Sequence, residues 1–175
     1  LLCVYLVYPV FETIRLSFFN FGGFDFVGLK NYIWAFGNPE FMQAIYNNLL
    51  WLVFVPTLSV VFGLLVAVLA DKVFWGAIAK SLIFMPMAIS FVGASVIWKF
   101  VYDYRGPDIE QIGSLNAFVM LFGAEPQAWI TLPFWNNFFL MVILIWIQTG
   151  FAMVIFSAAL RGIPEESLEA ARIDG

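Results

Sequence analysis

Three stretches of this chain carry no Asp, Glu, Lys or Arg: residues 41–70, 81–98 and 126–160. Few folds accept such runs. About 20 mostly apolar residues in a helix cross roughly 30 Å of hydrocarbon, and each run is long enough to do so. Lipid offers the backbone no hydrogen-bond partner, so a spanning segment satisfies its own N–H and C=O groups as a helix. Composition points the same way, with 63% of the 175 residues hydrophobic and 11% charged, against roughly 25% charged in soluble domains. A water-soluble domain of this size would expose wide apolar patches. The expected fold class is therefore all-α, a polytopic membrane protein.

Four spans are expected, over about 1–19, 45–70, 81–102 and 137–160. The first opens on Leu1 with no basic flank or small-residue cleavage site, which reads as the remainder of a spanning helix rather than a signal peptide. Glu12 and Arg15 place its distal turns near a membrane surface, and Phe18, Phe19 and Phe21 supply an aromatic belt. Residues 20–39, rich in Gly, Asn and Asp, read as an ordered interfacial loop with a short helix. In the second span Pro56 predicts a kink whose freed carbonyl Thr57 and Ser59 are placed to satisfy. A short turn over 71–80 leads to the third span, where Ser90, Gly93, Ala94 and Ser95 suit close helix packing. Lys99 and Asp103, four residues apart at its end, are expected to meet. Residues 111–124 are uncharged but too short to span, and fit an interfacial or re-entrant helix.

Several function classes fall away. The net charge of −4 comes from acidic residues in loops that form no tract, and nucleic-acid binding is not suggested. A single cysteine, Cys3, allows no disulfide within the chain, and histidine is absent. No Gly-x-x-x-x-Gly-Lys-Ser/Thr phosphate loop occurs, and no metal or other cofactor is expected. A secondary transporter stays open as an alternative but lacks its usual sign: ion-coupled carriers place ionisable side chains within the membrane, and the full spans carry none away from their ends. Basic residues do not orient the chain: Lys72, Lys80, Arg161 and Arg172 on one side balance Arg15, Lys30, Lys99 and Arg105 on the other.

Beyond the fourth span, residues 161–175 read as a separate short helix outside the membrane. Pro164 suits a first turn, Glu165 and Glu166 complement the positive end of the helix dipole, and Gly175 suits a left-handed C-terminal position. Glu169 and Arg172 are spaced to pair. A helix this short is marginal in water, so it needs a surface, and a partner protein or the lipid itself would serve.

The run Glu169-Ala170-Ala171 followed by Asp174-Gly175, after Ile163-Pro164 and a spanning helix, resembles the EAA loop of binding-protein-dependent ABC importers. That resemblance implies a type I importer permease fold, with residues 163–175 forming a cytoplasmic helix seated on an ATPase subunit through Glu169, Ala170, Ala171, Asp174 and Gly175. A second resemblance, to sugar permeases of the maltose and glycerol-phosphate group, lies in Tyr8-Pro9, Phe26-Val27-Gly28-Leu29-Lys30-Asn31-Tyr32 and Asn38-Pro39-Glu40-Phe41. Asn38 stands where that group usually has Asp. Pro126-Gln127-Ala128-Trp129 and Trp146-Ile147-Gln148-Thr149-Gly150-Phe151 are similar to α-glucoside permeases.

The resemblance implies a family domain that continues through two further spans, so the chain is expected to be part of a permease subunit in a cytoplasmic membrane. It also implies partners: cytoplasmic ATP-binding subunits that hydrolyse ATP, a second homologous permease, and an extracytoplasmic solute-binding protein that delivers a sugar. Amino-acid, phosphate and peptide permeases share the EAA loop and stay open as alternatives, as does a structural membrane subunit. A sugar pathway needs hydrogen-bonding groups and an aromatic face, and the candidates are Thr57, Ser90, Gln148 and Thr149, with Trp146 for stacking. Polar side chains in spanning helices also serve as interhelical contacts. Gln148, large and near mid-depth, is the strongest of the five.

Overall fold

The computed structural model describes residues 3–106 and 109–174. Its regular elements are helices, with one isolated antiparallel bridge, Phe19 to Phe26, among the described residues. The chain divides into two units, one ending at Leu50 and the other beginning at Trp51.

In the first unit a π-helical stretch, Cys3–Val7, leads into α1, Tyr8–Leu16. Pro9 lies in the first turn of α1, directly after that stretch. The chain then turns through Gly28 at φ 59°, a left-handed position that favours glycine, into α2, Lys30–Gly37. Asn31 donates from Nδ2 to the carbonyls of Ser17 and Phe19, both at 2.8 Å, and the Tyr32 hydroxyl lies 2.6 Å from Ser17 Oγ. The Gly28-Leu29-Lys30-Asn31-Tyr32 run therefore staples the loop to the end of α1. Asn38 Oδ1 accepts the N–H groups of Glu40 at 2.9 Å and Phe41 at 3.1 Å, capping α3, Pro39–Ala70. A cap needs only an acceptor oxygen, so Asn does here what Asp would.

Helix α3, whose residues from Trp51 on belong to the second unit, and α7, Asn136–Arg161, are each long and apolar enough to cross a membrane. Val55, Ser59, Gly63 and Ala67 recur every fourth residue of α3 and form its buried stripe, while Leu52, Val53, Leu65 and Leu69 stay exposed. Small side chains face protein and large apolar ones face outward, the arrangement of a helix solvated by lipid. The protein is a membrane protein. Helix α3 runs unbroken through Pro56. Ser59 does not relieve the proline as expected, because its Oγ is buried with no hydrogen-bond partner.

The segment expected as a third continuous span is bent instead. Helix α4, Gly76–Phe84, already begins inside the stretch expected as a turn. It passes into a 3-10 turn, Met85–Ala88, and then α5, Phe91–Val101, with a bend of 107° between the two arms. Pro86 lies in that turn, and Ile89 and Ser90 are extended, with ψ of 134° and 153°. Two extended residues cannot sit inside a helix, so α5 starts afresh with Ser90 Oγ accepting the Gly93 N–H at 3.1 Å. Because α5 stops at Val101, Asp103 leaves the helical register that would bring it to Lys99. It pairs with Arg105 at 3.4 Å.

A short helix α6, Ser114–Met120, a 3-10 turn at Trp129–Thr131 and the terminal α8, Glu165–Asp174, complete the described elements. Asn116 is fully buried under the connection to α7. Its Nδ2 donates to the Asp103 carbonyl (2.9 Å) and the Gln127 carbonyl (3.1 Å). Its Oδ1 accepts from the Gln127 N–H (2.9 Å) and Trp129 Nε1 (2.8 Å). An otherwise irregular segment is thereby held by one side chain.

Candidate functional site

Helix α7 carries three of the five pathway candidates, and glycines set how closely its neighbours approach. A Cβ on Gly63 would lie 2.5 Å from the Cβ of Ala152, and one on Gly150 would lie 2.5 Å from the carbonyl oxygen of Ile83. Neither distance is tolerable, so α3 and α4 both press on α7 at backbone range.

These contacts divide the candidates among different faces. Gln148, half-buried, lines a cleft of about 310 Å³ together with Val55, Pro56, Ser59, Met87 and Phe151. Trp146, two residues earlier on α7, points elsewhere and meets Trp98 of α5 edge to face, ring centres 5.7 Å apart. Thr149 donates its hydroxyl to the Ile145 carbonyl at 2.7 Å, back into its own helix. Ser90 is occupied as the cap of α5. Thr57 is exposed and off the buried stripe of α3, outside the residues lining the Gln148 cleft. The five do not converge. The side chain that joins Gln148 is Ser59, whose unpartnered hydroxyl leaves a donor and two lone pairs available in an otherwise apolar cleft.

At the far end of α7 three helices meet on one oxygen. Asp71, in the turn after α3, accepts at Oδ1 from Lys80 Nζ of α4 at 2.8 Å and from Arg161 Nη2, the last residue of α7, at 3.0 Å. The Lys80 hydrogen bond first, and the Arg161 hydrogen bond second, hold the Asp71 carboxyl below its ordinary range. After three intervening residues α8 begins, with Glu169, Ala170 and Ala171 exposed and Asp174 its last residue. Glu169 and Arg172 are both exposed, with no ion pair between them. Gly175 lies outside the described residues.

Known proteins are similar to this chain in sequence and in fold. The chain is 69% identical, over 174 residues and 99% of its length, to the alpha-glucoside transport system permease protein AglF of Rhizobium meliloti, covering 52% of that protein. Over almost its whole length the chain is therefore similar to an ABC transporter permease. The osmoprotective compounds uptake permease protein GgtC of Synechocystis is 58% identical over the same share of this chain, which covers 62% of it. The fold matches a solved bacterial ABC transporter involved in the import of the acidic polysaccharide alginate, with a TM-score of 0.72 at 20% identity, over 99% of this chain and 58% of that one. No protein-family model matches. The chain spans about half the length of the curated relatives it matches.

Sequence reasoning missed three features of this chain. Ser59 was assigned a local role, although its place in the four-residue repeat with Val55 and Gly63 was visible. Asn116 and the Asp71–Arg161 pair join residues 11 to 90 apart in sequence, and no local pattern signals such contacts.

Proposed function

We propose that the whole protein is the membrane-spanning permease subunit of an ATP-driven importer that carries a sugar or oligosaccharide across the cytoplasmic membrane. The observation that carries this reading is α8, a short helix with Glu169, Ala170 and Ala171 exposed directly after a spanning helix. Ten helical residues with so little apolar surface cannot hold themselves in water. A partner surface completes them, and in this reading it belongs to a cytoplasmic ATP-binding subunit that hydrolyses ATP. The tail is then cytoplasmic, which orients the spans, and Asp174 and Gly175 complete the contact.

A second homologous permease closes the pathway from the other side, and an extracytoplasmic solute-binding protein loads it. Gln148 and Ser59 offer hydrogen bonds to a hydroxylated solute in transit, and Thr57, Ser90, Trp146 and Thr149 lie outside that shared cleft or are engaged elsewhere. The alpha-glucoside relative and the Gly28 to Tyr32 staple support a sugar. The relative that takes up osmoprotective compounds supports a second reading, an osmoprotective solute.

Replacement of Glu169 by Ala in the full-length subunit is expected to abolish uptake and ATPase co-purification while leaving the membrane level unchanged. Normal uptake with normal co-purification would refute the coupling role. Competition of labelled alpha-glucoside uptake by unlabelled osmoprotectants separates the two substrate readings.

A further inference from the structure

The Asp71 junction has no part in the family resemblance, and its geometry bears on how α8 acts. One carboxylate oxygen accepts from Lys80 at 2.8 Å and from Arg161 at 3.0 Å. The Lys80 side chain is 15% exposed, Asp71 is 35% exposed and Arg161 is 71% exposed, so Lys80 is the inner member of the junction and Arg161 the outer one. The turn presenting Asp71 has little freedom, because a Cβ on Gly76 would collide with the Ala70 carbonyl. Arg161 is separated from α8 by Gly162, Ile163 and Pro164 alone.

An exposed ion pair adds little to stability. What this one supplies is direction. Without it, a displacement of α8 would reach the bundle only through α7. With it, the same displacement also pulls on the α3–α4 turn, and so on both helices that press against α7 at Gly63 and Gly150.

We propose that Asp71 is a positioning residue that ties the approach to α8 to the α3–α4 turn, so that movement of α8 by its ATP-binding partner carries α3 and α4 along with α7. The role rests on the importer reading above.

The test uses the full-length permease assembled with its partners in proteoliposomes and reads solute taken up per ATP hydrolysed. Asp71→Asn and Arg161→Gln are each expected to lower that ratio about fivefold, the low end of measured site-to-site coupling. The double variant should fall no further than either single one, because both remove one link. Arg161→Lys, which keeps the charge and a donor, should stay near the parent ratio. If Asp71→Asn fails to reach the membrane, Arg161→Gln carries the test with the Asp71–Lys80 bond intact. An unchanged ratio in Arg161→Gln, or losses that multiply in the double variant, would overturn the proposal. Loss of coupling in Glu169→Ala beside an unchanged Arg161→Gln would overturn it while leaving the importer reading in place. Retention of coupling in Glu169→Ala would overturn the importer reading itself.

Discussion

Replacing Asn116 tests whether a single buried amide holds the connection between α5 and α7. Its side chain is 0% exposed and makes four hydrogen bonds, two donated and two accepted, to Asp103, Gln127 and Trp129. Each is worth about 1 kcal/mol net, and a donor left buried without a partner costs more. Asn116→Leu is of similar size but supplies none of them, so the expected loss is on the order of 4 kcal/mol. Asn116→Asp separates hydrogen bonding from volume. It keeps both acceptor contacts, yet at neutral pH turns its second oxygen toward two carbonyls. Its deficit should therefore shrink as the pH falls and the carboxyl gains a proton. Reversible unfolding of the full-length subunit in mixed micelles, titrated with denaturing detergent, measures both. A change within about 0.5 kcal/mol for Asn116→Leu, the ordinary range for a surface substitution, would refute the reasoning.

Gly63→Ala should push α3 off α7, because the new Cβ would meet Ala152 at 2.5 Å and the Met153 nitrogen at 2.8 Å. The expected cost is about 1–3 kcal/mol in the same assay. Gln148→Leu should lower uptake kcat/KM about fivefold, one lost hydrogen bond of about 1 kcal/mol, whereas Thr57→Val, outside the cleft, should leave it unchanged in a transport assay. Asp71 also sets a pH dependence through the two cations that face it, Lys80 from α4 and Arg161 from α7. Its carboxyl is held below the ordinary value of 3.8, so its contribution is present above that pH and is lost as the pH falls through the lower folded value. Unfolding curves of the parent and Asp71→Asn should differ slightly at neutral pH, as for an exposed pair, and converge in acid below that range.

Much of the architecture was legible in the residues. Uncharged runs of spanning length do not depend on what they pack against, so the membrane helices within 41–70 and 126–160 follow from hydration alone. The Asn38 cap and the short α8 are local as well, because a cap or a turn is chosen by neighbouring residues. The expected continuous third helix failed because its apolarity was read without its backbone. Pro86 followed by extended Ile89 and Ser90 makes a bend of 107°, and hydropathy is blind to dihedral angles.

The candidate site shows the same division. Sequence ranked Gln148 first among the candidates, as a large polar side chain near the middle of α7. It grouped Gln148 with Trp146 and Thr149 because they are adjacent in the chain, although adjacent positions on a helix face different neighbours. Only the packing of α7 against α3 and α5 decided that Ser59 shares the cleft while Trp146 meets Trp98. Likewise, charge counting left Asp71, Lys80 and Arg161 as loop and end charges, and the tertiary structure brought them onto one oxygen. Solvent preference is a property of each segment and can be read along the chain. Which side chains meet depends on contacts between segments up to 90 residues apart, and those exist only once the helices have packed.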